Sequence, residues 1–167
     1  MKRIPALLIA GMLAVSGCSK QDAKQEPLPA EVVKDAEAGN ALAQFLVGFD
    51  YLKGKGVPQD YKEAVKWWTR SAELGDENAQ FYLGWCYETG TGVAKDQKEA
   101  VKWYTKSAEQ GDAEAQYYLG RCYLFGNGVT KDVKEAVKWY AKVAEQGDEH
   151  AKRMLELLKK AYEKEAK

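Results

Sequence analysis

The sequence is short of the residues that most active-site chemistry needs. It holds one histidine, His150, and three cysteines, Cys18, Cys86 and Cys122, in 167 residues. A protein zinc site takes several such ligands, and a nucleophilic triad needs a histidine between a nucleophile and a carboxylate. No C-x-x-C pair and no nucleophile-elbow motif occurs either. No catalytic residue, metal ligand or cofactor is therefore assigned. An excess of charge of one sign is also missing: Lys plus Arg number 25, and so do Asp plus Glu. That balance excludes the basic footprint of a nucleic-acid binder and the acidic composition of a disordered tail. Proline is scarce, and all 4 prolines lie before residue 59, so nothing beyond that point interrupts helices. The longest apolar run, Ile4 to Val15, is about 12 residues, short of the ~20 that span a bilayer. What the chain does have is aromatic: 5 Trp, 10 Tyr and 4 Phe, enough to fill a core.

The beginning of the chain reads as a targeting segment rather than as fold. Lys2 and Arg3 precede the apolar run, and Val15-Ser16-Gly17-Cys18 follows it. Charge, apolar length and small residues together are those of a secretory signal. The last four residues resemble the lipobox of bacterial lipoproteins, in which the cysteine becomes the lipidated first residue of the mature chain. The resemblance implies residues 1–17 as signal peptide, lipid on Cys18, and a place in the cell envelope. With Ser19 rather than Asp after the cysteine, it implies the outer membrane, facing the periplasm. Acyl chains contribute about 0.8 kcal/mol per buried CH₂, and several on one residue anchor durably. Residues 18–30, rich in Lys, Gln, Glu and Pro, are expected to be a flexible tether.

From there the chain repeats. Ala43-Gln44 recurs as Ala79-Gln80 and Ala115-Gln116, a spacing of 36 residues each time. Laying 43–78 over 79–114 and 115–150 makes half of the columns identical in all three copies. Each copy is expected to be two helices and two turns. In the middle copy, Asp76 caps a first helix, A, whose stripe includes Ala79, Leu83, Gly84, Cys86 and Tyr87. Gly90-Thr91-Gly92-Val93 turns the chain, with Val93 plugging the loop into the core. Asp96-x-x-Glu99 is a capping-box pattern that opens a second helix, B, repeated as Asp60…Glu63 and Asp132…Glu135. Gly111 ends it. Mid-helix Gly84 is expected to admit Trp103 of helix B. Residues 31–38 resemble the end of a lone helix B, and 149–166 a lone, capping helix A with Glu156 in the glycine column. Residues 31–167 are thus expected to form an all-α, right-handed α-solenoid: three full repeats with partial ones at both ends.

The middle copy, through Ala79, Leu83, Gly84, Tyr87, Gly90, Gly92, Val93, Asp96, Ala100, Trp103, Tyr104, Ala108, Glu109 and Gly111, resembles the Sel1-like repeat, a relative of the tetratricopeptide repeat. Ser71, Ser107 and Val143 depart from its Ala-Ala pair, and Val47 replaces its leucine. The resemblance implies a non-enzymatic adaptor that binds a protein or peptide, as in signalling, secretion and envelope assembly. Membrane-anchored relatives that act as immunity proteins against secreted antibacterial effectors, phospholipases among them, supply a second reading. Hydrolysis of cell-wall or β-lactam compounds is a third, and no residue set here has the spacing it needs.

Candidate binding residues are those on helix A that change between copies while the core columns stay fixed. Aligned to the tetratricopeptide pattern, the concave face carries Asn78, Phe81, Trp85, Glu88 and Thr89 in the middle copy. Leu42, Phe45, Phe49, Leu52 and Lys53 hold those places in the first copy, and Glu114, Tyr117, Arg121, Leu124 and Phe125 in the third. Aromatic and arginine side chains are enriched at binding hot spots. Phe81 and Tyr117 fit packing between repeats as well as contact; Trp85 and Arg121 fit contact better. His150 reads as a surface residue. Cys86 and Cys122 occupy equivalent columns a full repeat apart, too far to bridge, and read as reduced, semi-buried thiols. Disulfide-rich relatives pair cysteines within one repeat, a spacing this chain lacks.

Overall fold

A computed structural model of the protein describes residues 29–165. The expected signal segment, Cys18 and most of the expected tether fall outside them. The described residues form eight helices and no strand: α1 (Ala30–Glu37), α2 (Ala41–Lys53), α3 (Tyr61–Glu73), α4 (Glu77–Thr89), α5 (Gln97–Glu109), α6 (Ala113–Phe125), α7 (Val133–Glu145) and α8 (Glu149–Glu165). Each helix packs against the one before and the one after it in the chain, which makes the stack an α-solenoid. The A helices are α2, α4, α6 and α8; the B helices are α1, α3, α5 and α7. None of the eight is long and apolar enough to cross a membrane.

The helix limits follow from short-range chemistry repeated in each copy. Asn40, Asp76 and Asp112 cap the first three A helices, each side chain accepting the backbone N–H of the residue three on. Asp148 does the same for Ala151 in α8. Asp60 and Asp96 each accept two N–H groups at the start of α3 and α5, and Asp132 accepts that of Glu135 at the start of α7. The reciprocal half of the expected capping box is absent. The Asp96 N–H donates instead to the Tyr87 carbonyl at 2.9 Å, and Glu99 turns outward to Lys102. Asp60 and Asp132 repeat this bond to Tyr51 and Tyr123. The cap amide is thus already used in closing the loop between A and B, so the glutamate is released to a solvated ion pair of small value. Val93 and Val129 in these loops are half-buried against the core, as the sequence reading had it.

The mid-helix glycines are close-approach points, but the tenant is not the one expected. A Cβ on Gly84 would lie 2.7 Å from the ring of Tyr104, not of Trp103. Gly48 meets Trp68 at 2.7 Å, and Gly120 meets Tyr140 at 3.3 Å. The ring one position after the repeated tryptophan points inward and is fully buried at all three places. The repeated tryptophan lies beside it, under the cation one turn on: Arg70 over Trp67, Lys106 over Trp103 and Lys142 over Trp139. Glu156, in the same column of α8, is exposed, and no described helix B lies against it.

Hydrogen bonds stitch successive repeats together. Gln80 and Gln116 are buried and donate to the Ala72 and Ala108 carbonyls at the end of the preceding helix B. Their amide oxygens accept from Gln110 and Gln146, which also donate to the Gly75 and Gly111 carbonyls. The serines that depart from the Ala-Ala pair have their own use, Ser71 bonding the Ala41 carbonyl and Ser107 that of Glu77. In the first copy the stitch is incomplete. Gln44 donates to the Ala36 carbonyl, yet its buried Oε1 has no hydrogen-bond partner, because the bonding column holds the exposed Leu74. Leu74→Gln is expected to raise stability by about 1–2 kcal/mol, by satisfying that oxygen and the Gly39 carbonyl. A urea melt reads it; a midpoint at or below that of the parent would contradict the assignment.

Candidate functional site

The A helices meet through aromatic side chains. Tyr82 of α4 reaches back to Phe45 at 5.7 Å, to Phe49 at 5.9 Å and to Trp68, on which it stacks at 5.0 Å. Tyr118 of α6 repeats the move onto Phe81 at 5.5 Å and Tyr104 at 5.4 Å. Tyr117 continues to Tyr140 and to His150 of α8, whose ring nitrogen lies 3.1 Å from the tyrosine hydroxyl. The seam fixes the spacing of neighbouring A helices, and the side chains beside it line what lies between them.

Between α4 and α6 there is a cleft of about 720 Å³. Trp85, Glu88 and Thr89 line it from the last turns of α4, and Tyr118 and Arg121 from α6. Lys95 and Gln97, where the chain turns into α5, and Asn127, just past α6, complete it. Each polar group has a definite setting. The Tyr104 hydroxyl donates to a Glu88 carboxylate oxygen at 2.6 Å, and burial beside that carboxylate pushes the phenol far above its usual range. The Arg121 guanidinium lies 5.1 Å above the Tyr118 ring. Gln97 donates to the Glu88 carbonyl at 3.1 Å and leaves its Oε1 unpartnered.

The Glu88–Tyr104 bond belongs to the middle copy alone. Tyr140 is buried in the same way as Tyr104, but Leu124 replaces the glutamate and the Tyr140 hydroxyl has no partner. Tyr104→Phe is expected to cost about 1.5–3 kcal/mol, since it removes a bond to a charged group. Tyr140→Phe is expected to be neutral or stabilising, because it removes an unsatisfied hydroxyl. Equal losses in the two denaturant melts would contradict this reading.

The candidate residues divide along these lines. Trp85, Glu88 and Arg121 come together in the cleft, with Thr89. Phe81 is 3 % exposed and spends its ring on Tyr82, Tyr104 and Tyr118, so for this residue packing wins over contact. Phe45, Phe49 and Tyr117 are half-buried in the seam. Asn78 and Glu114 are half-buried on the first turns of α4 and α6, and Phe125 is 64 % exposed at the end of α6; none of the three lines the cleft. His150 is exposed, as expected, and rests on Tyr117. Tyr118, Lys95, Gln97 and Asn127 were not singled out from the sequence. Tyr118 stands in a column of the seam one place after Tyr117, Gln97 is the first residue of α5, and Lys95 and Asn127 lie in loops that the alignment of helix A did not cover.

Cys86 and Cys122 are more deeply buried than expected, and both are free. Burial pushes both thiols up to about 12, so neither is a thiolate at neutral pH. Among the described residues no cluster of three or more His, Cys, Asp or Glu side chains could hold a metal ion.

The Sel1 repeat family model matches residues 41–76, 78–112 and 113–148. A Sel1 repeat protein from Oxalobacter formigenes is 42 % identical, with a TM-score of 0.71 over 76 % of this chain and 96 % of its own. A protective antigen of uropathogenic Escherichia coli with the same repeat fold is also 42 % identical, with a TM-score of 0.70 over 72 % of this chain. This chain spans only 26 % of that antigen's length. Helicobacter pylori cysteine rich protein B is 25 % identical, with a TM-score of 0.62 over 75 % of this chain and 93 % of its own. No curated protein matches the sequence.

Proposed function

Because the chain belongs to the Sel1 repeat family, whose members are in general protein-interaction modules, we propose that it is a non-enzymatic binding protein that grips a protein or peptide along its A-helix face. The observation that carries this reading is the cleft between α4 and α6. Its lining residues Trp85, Glu88 and Arg121 stand in columns that differ from copy to copy, Phe49/Trp85/Arg121 and Leu52/Glu88/Leu124, on a frame whose core columns repeat. Packing explains a constant column; it does not require an indole in one copy and a guanidinium in the next. The face is the inner, concave one of the solenoid, and the surface is preformed, so little ordering cost opposes binding.

The proposed setting is the envelope. Lipid on Cys18 holds the protein at the outer membrane, and residues 18–30 hold the solenoid off its surface in the periplasm. Within that setting the protein is an adaptor or an inhibitor of its partner. The inhibitor form includes an immunity protein that neutralises an incoming effector.

Affinity capture from envelope extract tests both parts, with the full chain as bait and the Trp85→Ala/Arg121→Ala chain as control. One stoichiometric partner lost with the control is expected, and its identity separates scaffold from immunity protein. The same background from bait and control would overturn the binding reading. Labelled palmitate carried by the parent and absent from Cys18→Ser is the expected result for the anchor; equal labelling would remove it.

A further inference from the structure

We infer that the cleft between α4 and α6 recognises an extended peptide segment in which an acidic side chain stands next to an aromatic or aliphatic one. This rests on the binding reading above and goes on to name the chemistry of the partner.

Arg121 and Lys95 both line the cleft, and neither forms an ion pair with a carboxylate among the described residues. The Arg121 guanidinium is already stacked on Tyr118, so little side-chain freedom remains to be lost when a carboxylate docks. The one carboxylate in the lining, Glu88, is committed to the Tyr104 hydroxyl. Two cations without a carboxylate partner among the described residues and one occupied anion favour a negatively charged ligand and repel a basic one. The apolar half of the recognition comes from Trp85, which is half-buried and has no ring partner among the described residues. An indole left without a ring partner beside a pre-stacked guanidinium suits an apolar side chain adjacent to a carboxylate.

A displayed library of random dodecapeptides, selected on the full chain and counter-selected on Trp85→Ala, tests this. Enriched sequences are expected to carry Asp or Glu beside an aromatic or aliphatic residue. Their synthetic peptides should bind about tenfold more weakly when Asp and Glu are replaced by Asn and Gln, and raised salt should weaken them further. Arg121→Gln with Lys95→Gln should erase the difference between acid and amide peptides. Arg121→Glu with Lys95→Glu should reverse it in favour of a lysine version, which guards against a variant that fails by misfolding. Enrichment of neutral or basic sequences that still depend on Trp85 would overturn the acidic preference and leave the binding reading standing. No enrichment at all would overturn the inference, while the capture experiment judges the binding reading independently.

Discussion

Gly92→Ala and Gly128→Ala are each expected to destabilise the protein by about 3 kcal/mol or more, lowering the melting temperature by roughly 10 °C. Two costs add at each position. The backbone is left-handed there, with φ of +72° and +74°, a region that costs an L side chain about 1–2 kcal/mol. The new methyl would also sit 2.2 Å from the Tyr61 carbonyl oxygen, or 2.1 Å from that of Gln97. Those oxygens belong to the first residues of α3 and α5, in the preceding repeat, and backbone in a helix cannot step aside as a side chain can. The loop therefore has to lift off the helix it rests on. Gly111→Ala separates the two effects. Its φ is +101°, but nothing lies within 4 Å of the added Cβ, so only the conformational cost remains, about 1–2 kcal/mol. Thermal melts of the three variants check the order. A Gly92 variant no worse than the Gly111 variant would mean that the loop contact contributes nothing.

Trp85→Ala with Arg121→Ala is expected to weaken partner binding by at least about a hundredfold and to leave the solenoid folded. Truncating a central aromatic or arginine anchor typically costs 2 kcal/mol or more, and two anchors in one cleft exceed a factor of one hundred together. The folding cost is smaller because both side chains are only half-buried. Trp85 takes no part in the aromatic seam, and Arg121 touches it only through Tyr118. Phe81→Ala should behave in the opposite way. It removes a 3 % exposed ring that bridges Tyr82, Tyr104 and Tyr118, at a cost of about 3–5 kcal/mol in stability. Dissociation constants and denaturant melts of the two variants distinguish anchor from core. Full binding by a folded double variant would contradict the assignment of the cleft.

The repeat was legible because its signals are local. Asp caps, left-handed glycines and the Ala and Trp columns recur at one spacing, and each acts within a few residues of itself. The helices accordingly begin and end close to where the sequence places them. What the sequence hid are choices made across the interface between helices. Trp103 and Tyr104 are adjacent and both large, and only the approach of α5 to Gly84 decides which ring enters. Asp96 and Glu99 have the pattern of a reciprocal cap, yet the Tyr87 carbonyl takes the amide first. Phe81 and Trp85 lie one turn apart on α4, and the sequence leaves Phe81 open between packing and contact. Tyr118, brought over by the next repeat, covers the first and leaves the second beside the cleft. Lys95, Asn127 and Gln97, the first residue of α5, escaped notice for a related reason: an alignment of helix A has no column for the turn that folds back beside it.

Photo-crosslinking in the living cell decides whether a partner sits in the cleft. A photoreactive residue is placed singly at Thr89 or Asn127, which line the cleft, and at Lys62, Lys98 or Lys134, exposed on the B helices. One discrete adduct, of the same partner, is expected from Thr89 and Asn127 and none from the three lysines. Adducts from the lysines alone, or none from the cleft positions, would contradict that placement.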